Sequence, residues 1–314
     1  MSIKHSLVIP CFNEEGNVDA FFEVAVKAMA EYTADYELVF VNDGSRDATA
    51  ARLNALHAAH PERHVTVVHF SRNFGKEAAM YAGLAAAKGD YVTVIDADLQ
   101  QRPEVAVLMA RLLDAHPEYD AVAAYPAHRA ETGFMGWCKT SFYKVINKMS
   151  EVELIEDASD FRTLRRPVVD ALLNMTEYHR FSKGLFAFVG FNTYSMPYEV
   201  QQRNAGETKW SFGKLMKYAL DGIMAYTDLP LKLPLYLGGG FCGLGALGLL
   251  LCFVVNLLRR YAVVFPWALA SLLVLLCGIL LVAVGVMGAY IGKIHAQVKN
   301  RPVYIVRETR SYEE

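Results

Sequence analysis

Two carboxylates separated by one residue, Asp96 and Asp98, directly follow a short apolar run of the sequence. At the end of a strand, two such groups can face one hard cation. Mg²⁺ and Mn²⁺ prefer oxygen ligands and leave their remaining positions to water and phosphate. A cation held in this way neutralises a diphosphate leaving group. The pair therefore predicts chemistry on a nucleoside diphosphate, with Mg²⁺ or Mn²⁺ as the cofactor.

Three further polar segments follow apolar runs in the first part of the chain. They are residues 10–15 (Pro-Cys-Phe-Asn-Glu-Glu), 42–45 (Asn-Asp-Gly-Ser) and 71–76 (Ser-Arg-Asn-Phe-Gly-Lys). Lys76 offers a positive charge to phosphates, and Asp43 can accept hydrogen bonds from a nucleobase or a ribose. Each segment alone has an ordinary explanation as a turn or a helix cap. Four of them at one rim favour a ligand site.

The elements that would position these segments alternate regularly. Short apolar runs and helical patterns take turns over the first 125 residues. This rhythm predicts a mostly parallel sheet with helices on both faces. Ligands of such sheets bind beyond the carboxyl ends of the strands, where all four polar segments fall. Residues 126–200 are less regular. From Lys209 to Tyr226, aromatic and apolar side chains mix with lysines as in an interfacial helix.

The composition disfavours one class of partner and predicts another. The chain has 314 residues and a formal net charge of -2, so it lacks the basic excess expected of a nucleic-acid-binding protein. Two stretches, Leu233–Leu258 and Tyr261–Gly292, contain no charged residue. A helix needs about 20 apolar residues to cross a bilayer. Two membrane spans are therefore predicted, in preference to a buried hairpin of a soluble core.

The orientation in the membrane follows from the segments around these stretches. The N-terminal apolar run stops at Pro10, which is too early for a signal peptide. Basic residues in the tail fit the positive-inside rule, although Arg259 and Arg260 between the two stretches argue the other way. The prediction is a multi-pass protein of the inner (cytoplasmic) membrane, with the catalytic domain and both termini cytoplasmic.

The four polar segments together resemble those of glycosyltransferase family two. The motifs that carry the resemblance are Pro10-x-Phe12-Asn13-Glu14, Asn42-Asp43-Gly44-Ser45, Arg72-Asn73-Phe74-Gly75-Lys76, Asp96-x-Asp98-Leu99-Gln100, Asp160-Phe161-Arg162, Arg203-x-x-Gly206-x-x-Lys209 and Gly288-Ala289-Tyr290-Ile291-Gly292-Lys293. The polyprenyl-phosphate glycosyltransferases, such as bactoprenol glucosyltransferases and dolichol-phosphate mannose synthase, are the most similar. The resemblance covers nearly the whole chain. It implies an α/β, Rossmann-like type-A glycosyltransferase fold, a divalent metal, inversion at the anomeric carbon and a lipid-phosphate acceptor.

The resemblance also implies roles for individual residues. Those expected to bind the nucleotide-sugar are Pro10, Phe12, Glu14, Asp43, Lys76, Asp96, Ala97, Gln100 and Arg129. Those expected to hold the metal are Asp96, Asp98 and Gln100. Those expected at the reaction centre are Asp98 and Arg162, with Asp157 or Asp160 beside them. Those expected to bind the acceptor phosphate are Arg203 and Lys209.

The predicted organisation has four parts. They are a cytosolic glycosyltransferase domain over residues 1–208, juxtamembrane amphipathic helices over 209–230, two transmembrane helices over 231–292 and a cytosolic basic tail over 293–314. The partners implied are a nucleotide-sugar, a polyprenyl phosphate and membrane lipid. Small residues in the apolar stretches are typical of close helix packing in membranes, which leaves a homo-oligomer open.

The motifs do not fix the donor. A UDP-sugar with glucose is favoured by the resemblance, but Gln101 and Arg102 stand where relatives more often have an acidic residue. UDP-N-acetylglucosamine, GDP-mannose and UDP-aminoarabinose derivatives therefore stay open, as does a soluble acceptor. A processive polysaccharide synthase is disfavoured because the sequence has no Gln-x-x-Arg-Trp motif. A non-catalytic membrane scaffold is disfavoured because Asp96, Asp98 and Lys76 are intact.

Overall fold

The computed structural model describes residues 3–127, 160–178, 180, 182–199 and 265–312, with isolated helical positions at 240, 243, 247 and 254. The strands are β1 (His5–Cys11), β2 (Tyr36–Asn42), β3 (Val65–Phe70), β4 (Tyr91–Val94), β5 (Ala121–Pro126), β6 (Arg162–Arg165), β7 (Thr193–Tyr198) and β8 (Val306–Arg310). The helices are α1 (Val18–Ala30), α2 (Thr49–Ala59), α3 (Lys76–Ala86), α4 (Pro103–Ala115), α5 (Arg166–Leu173), α6 (Ser182–Phe188) and α7 (Phe265–Val298). The predicted amphipathic helices over 209–230 lie outside these residues.

The strands form one sheet in the order β7-β5-β6-β4-β1-β2-β3-β8. Neighbours β1 and β2, β1 and β4, β2 and β3, and β5 and β7 pair in parallel, whereas β6 and β8 run antiparallel to their neighbours. The predicted α/β fold with a mostly parallel sheet is therefore confirmed. The order reverses between β1 and β4, which is the switch point where open α/β sheets bind ligands.

Helices cover both faces of the sheet because its central strands are apolar on both faces. All seven residues of β2 and all six of β3 are buried. Phe21, Phe40 and Met109 belong to the core on one face, and Val8 and Met80 to the core on the other. Burial of each such large side chain contributes about 1.5–3 kcal/mol to stability. These two cores fix the strand ends that carry the polar loops.

One glycine sets how closely a helix approaches the sheet. A Cβ placed on Gly83 of α3 would lie 2.1 Å from Cγ1 of Val8 on β1. Only hydrogen fits between the helix and the strand at this point. The N-terminal end of α3, which carries Lys76, is therefore held against the switch point.

Asn17 precedes α1, in the N-cap position. Its side chain makes no capping hydrogen bond to the helix. The Asn17 Nδ2 group instead donates to Glu14 Oε2 at 2.7 Å. The Asn17 amide therefore helps to hold the loop that follows β1 and does not cap the helix.

Strands β6, β7 and β8 lie in regions that sequence patterns left irregular or charged. Strand β6 pairs with β4 and β5, and its Arg165 donates to the carbonyl oxygens of Tyr119 and Leu113 at 2.8 and 2.6 Å. Strand β8 pairs with the edge of β3. Part of the tail predicted over 293–314 therefore belongs to the sheet of the catalytic domain.

The C-terminal segment leads from α7 to this edge. The 34-residue helix α7 covers most of the second uncharged stretch. Among the parts of the chain that the structure describes, no helix combines the length and the hydropathy needed to cross a membrane. Beyond α7, the ring of Tyr304 stacks on Phe70 at 5.0 Å and that of Tyr312 on His64 at 4.3 Å. These contacts hold the tail on the sheet.

Candidate active site

The polar loops meet at one rim of the sheet. Strands β1 to β5 run in the same direction, so their carboxyl ends share this rim. Strand β6 runs the opposite way, so it begins where the others end. Asp160, two residues before β6, thereby reaches the same rim as Asp96 and Asp98 after β4. The chain direction of β6 thus adds a carboxylate from a distant part of the sequence.

The loops after β2 and β3 are tied together by one buried carboxylate. The oxygens of Asp43 accept hydrogen bonds from the backbone N–H groups of Phe74 and Gly75 at 2.6 and 3.0 Å. Burial raises the pKa of Asp43 above its usual value, and the two amides and Arg72 partly offset the rise. Gly44 has φ 62°, and a Cβ there would lie 2.3 Å from the carbonyl carbon of Arg72. The two loops therefore touch along their backbones.

The loops after β1 and β2 are tied in a similar way. The N–H of Asn13 donates to Ser45 Oγ at 3.0 Å, and the N–H of Arg46 donates to Asn13 Oδ1 at 2.9 Å. The N–H of Glu14 donates to Thr49 Oγ1 at 2.8 Å. Because each contact joins a backbone group to a side chain of the other loop, the two loops form one shelf beside the switch point.

A cationic side chain lies between two carboxylates at the centre of the rim. Nζ of Lys76 lies 2.7 Å from Oδ1 and 2.9 Å from Oδ2 of Asp96, and 3.4 Å from Oδ2 of Asp160. Burial alone would lower the pKa of Lys76, but the two carboxylates outweigh it and raise the pKa above its usual value. The ammonium group therefore stays charged at every physiological pH. It can exchange a carboxylate partner for a phosphate without a change in protonation.

The segment after β4 is held in a tight turn. Gln101 is buried and accepts a hydrogen bond from the N–H of Asp96 at 3.0 Å. Oδ1 of Asp98 accepts one from the N–H of Gln100 at 3.1 Å, and Leu99 has φ 60°. A leucine in the left-handed region is strained, which is common at functional sites. The residue that departs from the family pattern, Gln101, thus positions the backbone of Asp96.

Arg162 begins β6 and is buried beside the rim. Its guanidinium group lies 4.3 Å from the ring centre of Phe186. Burial lowers the pKa of Arg162 to about 10, and the nearby Asp160 partly offsets the effect. Arg162 therefore remains charged at neutral pH.

Glu77 is a residue of the site that sequence reasoning missed. Its carboxylate accepts hydrogen bonds from the N–H of Ser182 at 3.1 and 3.3 Å and from the hydroxyl of Ser182. Burial raises the pKa of Glu77 to about 7, and the charge of Asp160 adds to the rise. A glutamate in the first turn of a helix is ordinary, because it complements the helix dipole. The sequence therefore gave no sign that Glu77 faces inward, toward Asp160.

Comparison with known proteins gives the family. The model of glycosyl transferase family 2 matches residues 6–173, more than half of the chain. An uncharacterized glycosyltransferase of Synechocystis sp. is 38% identical over 98% of this chain and 96% of that protein. The chain belongs to glycosyl transferase family 2.

Two further similarities give the family context. A prophage-derived bactoprenol glucosyl transferase of Shigella flexneri is 37% identical to this family 2 chain over 98% of both proteins. A crystal structure of glucosyl-3-phosphoglycerate synthase from Mycobacterium tuberculosis, in complex with Mn²⁺, UDP and glucosyl-3-phosphoglycerate, covers 70% of this chain and 77% of that one. The TM-score is 0.47 and the identity 20%.

The rim of this family 2 enzyme has the donor chemistry for a divalent cation. Within the described ranges, no group of three or more histidine, cysteine, aspartate or glutamate side chains is arranged to bind a metal. Mg²⁺ bound with a substrate diphosphate typically uses only one or two carboxylates and keeps several waters. Asp96 and Asp98 supply two, and Oδ1 of Asp160 is buried with no hydrogen-bond partner in the described part of the chain. These residues fit a cation held jointly by the protein and its substrate.

The remaining predicted residues fall into two groups. Pro10 lies in β1 opposite Val41 and Ala97 is buried, whereas Phe12, Glu14 and Gln100 are partly exposed along the rim. Their predicted binding roles stay predictions. The predicted residues that lie outside the described ranges are Arg129, Asp157, Arg203 and Lys209.

Proposed function

We propose that this glycosyltransferase moves glucose from UDP-glucose to polyprenyl phosphate, with inversion at the anomeric carbon, on the cytoplasmic face of a membrane. The observation that carries the proposal is the meeting of Lys76 with Asp96 and Asp160 at the switch point. The identity of 37% with a bactoprenol glucosyl transferase, over 98% of both chains, supports the acceptor and the sugar.

The nucleoside would lie on the shelf formed by the loops after β1 and β2, next to the loop after β3. Pro10, Phe12 and Glu14 border this shelf, and Asp43 ties it to the loop after β3 through two backbone amides. The main role of Asp43 would therefore be to hold the backbone of these loops in place. Each of its oxygens keeps a second lone pair, which leaves it able to accept a hydrogen bond from the nucleoside.

The diphosphate would lie over Asp96 and Asp98. A bound Mg²⁺ or Mn²⁺, held by Asp96, Asp98 and Gln100, would neutralise part of the leaving group's charge. Lys76 would supply a further positive charge from the protein, since its pKa is raised. Asp160 would keep Lys76 in place while Asp96 faces the ligand. Arg162 would balance the charge of Asp160 from the other side.

The transfer itself needs no proton to be removed by the enzyme. An oxygen of the acceptor phosphate forms a bond to the anomeric carbon, while the bond from that carbon to the diphosphate oxygen breaks. UDP leaves with the electron pair. A phosphate monoester has a second pKa of about 6, so at neutral pH it is already largely a nucleophilic dianion. Asp160 would accordingly orient neighbouring groups rather than act as a general base.

The membrane location is supported by the two uncharged stretches, Leu233–Leu258 and Tyr261–Gly292, each longer than a span requires. Strand β8 follows the second stretch and pairs with β3. This pairing supports a tail on the same side as the catalytic domain, as two spans would give. A polyprenyl phosphate keeps its phosphate at this surface, within reach of a membrane-bound enzyme.

The test is mass spectrometry of lipid products. Detergent-purified protein is incubated with undecaprenyl phosphate, Mg²⁺ and separate UDP-glucose, UDP-N-acetylglucosamine, GDP-mannose and UDP-aminoarabinose donors. The proposal expects one glycosyl-lipid, from UDP-glucose, that the Asp98→Ala variant does not make. A product from another donor would correct the sugar alone. A folded protein that forms no lipid product with any donor would overturn the proposed reaction.

A further inference from the structure

A basic cleft lies at the end of α7. It is lined by Tyr178, Gly292, His295, Ala296, Lys299 and Arg301. Its volume of about 150 Å³ holds a group several times larger than a water molecule. One wall is the last part of α7, and the other is the connection between α5 and α6.

The two walls are held together by one side chain. Oε1 of Gln297 accepts a hydrogen bond from the N–H of Tyr178 at 2.8 Å, and Nε2 of Gln297 donates to the carbonyl oxygen of Thr176 at 3.2 Å. Asn300, two residues beyond α7, has φ 47°, a left-handed conformation typical of the residue that follows a helix. This turn brings Arg301 back to the mouth of the cleft. The cleft is therefore a built feature of the fold.

The charge of the cleft is uncompensated. Lys299 and Arg301 are exposed and make no ion pair with a carboxylate in the described residues. The neighbouring acid, Glu177, interacts with Arg180 instead. Two permanent positive charges beside an imidazole and a phenol favour an anion that accepts several hydrogen bonds. A phosphate group has this chemistry.

The position of the cleft indicates where this phosphate comes from. The sequence has no charged residue from Tyr261 to Gly292, and the cleft begins where that stretch ends. Basic pockets at the ends of membrane helices bind lipid headgroups. We propose that the cleft binds the phosphate group of a membrane lipid. This inference rests on the proposed function, which puts the uncharged stretch Tyr261–Gly292 at the membrane.

The first test counts bound lipids by native mass spectrometry of the full chain in detergent. The probes are phosphatidylglycerol, undecaprenyl phosphate, phosphatidylcholine and inorganic phosphate. The Lys299→Gln/Arg301→Gln variant is compared with Lys27→Gln/Arg307→Gln, which removes two exposed bases from α1 and β8. The proposal expects at least about tenfold weaker binding of a phosphate-bearing anionic lipid in the cleft variant alone. Equal loss in both variants would overturn it.

A second variant separates the cleft from general charge attraction. A Cβ on Gly292 would meet no atom within 4 Å, so Gly292→Leu fills the cleft while both bases remain. The proposal expects this variant to lose lipid binding as well. Normal lipid binding in Gly292→Leu, or inorganic phosphate binding as tightly as lipid, would overturn a lipid site.

The probes also identify the lipid. Weaker binding of phosphatidylglycerol in the cleft variants assigns the cleft to a phospholipid, and weaker binding of undecaprenyl phosphate assigns it to the acceptor. Glycosyl-lipid formation is measured on the same samples. If the wild-type protein makes product and the cleft variants bind lipid normally, lipid binding in the cleft is overturned and the proposed function is not. A wild-type protein that makes no product overturns the proposed function, while lipid lost from the cleft variants still supports the cleft.

Discussion

The two halves of the rim are built on different principles. On the side of β2 and β3, the carboxylate of Asp43 is buried and bonded to two backbone amides. On the side of β4 and β6, Lys76 and Asp96 are partly exposed and bonded to each other. The first half uses its polar groups to hold loops in shape. The second half keeps its charged groups accessible, so that a phosphate of the ligand can replace a carboxylate as the partner of Lys76.

The energetics follow from this difference. An ion pair with solvent access contributes only about 0–1 kcal/mol to stability. A buried amide that loses a charged hydrogen-bond partner costs about 1.5–3 kcal/mol. Substitutions in the first half should therefore reduce stability. Substitutions in the second half should reduce turnover and leave stability nearly unchanged.

The largest expected effect is on catalysis. Asp98→Ala should lower kcat/KM for glycosyl-lipid formation by roughly 10²–10³-fold. The substitution removes a carboxylate that would hold the cation at the diphosphate leaving group. Its midpoint of thermal unfolding should stay within a few degrees of wild type. Asp170→Ala, which removes an exposed carboxylate from α5, is the control and should alter neither quantity. A large fall in stability with Asp98→Ala would contradict the view that the half of the rim at β4 and β6 serves catalysis rather than stability.

The next effect is on stability. Asp43→Ala should lower the free energy of unfolding by about 3 kcal/mol, because the N–H groups of Phe74 and Gly75 lose their acceptor. Asp43→Asn keeps one acceptor oxygen and should cost roughly half as much. Urea unfolding of the detergent-purified protein measures both. If Asp43→Ala were as stable as wild type and only lost UDP binding, the role of Asp43 would be to bind the ligand rather than to hold the loops together.

A third prediction concerns the close approach of the two loops. Gly44→Ala should cost about 1–2 kcal/mol for the left-handed backbone and about 1–3 kcal/mol more for contact with Arg72. Gly190 is the matched control, since it has φ 69° and its nearest neighbour to an added Cβ lies 4.0 Å away. Gly190→Ala should show the backbone cost alone. Equal unfolding free energies for the two variants would show that the loops can separate at little cost.

The last prediction is a pH dependence that arises in the sheet interior, small for each pH unit near neutrality. Burial lowers the pKa of His5 to about 3. Below the ordinary histidine pKa, the unfolded chain therefore binds a proton at His5 that the folded chain does not bind. The free energy of unfolding falls as the pH drops from that pKa toward 3. The slope should approach about 1.4 kcal/mol per pH unit. His5→Gln should flatten this slope in thermal unfolding scans, and an unchanged slope would assign it to other groups.

Regular alternation in the first 125 residues predicted the parallel half of the fold well. Its strands are apolar on both faces, so each gives a clear signal between helices. Strands β6 and β8 gave no such signal in the sequence. The sequence of β6 is Arg-Thr-Leu-Arg, and its terminal arginines are satisfied by an aromatic ring and by carbonyl oxygens. Strand β8 lies at an edge with most of its residues exposed, so it needs no apolar face.

The site was predictable where it follows predicted strands. Asp43, Lys76, Asp96 and Asp98 reach one rim as the alternation implied. Asp160 came only from family resemblance, since its place depends on the reversed direction of β6. The inward position of Glu77 depends on packing against α6, which no local pattern encodes.

The most direct test of the central claim is the transfer of radiolabelled glucose from UDP-glucose into a lipid extract, with and without added undecaprenyl phosphate. The account predicts that label enters the organic phase only when undecaprenyl phosphate and a divalent cation are both present. Release of UDP with all label remaining in water, under the same conditions and with folded protein, would contradict a lipid-phosphate acceptor at this rim.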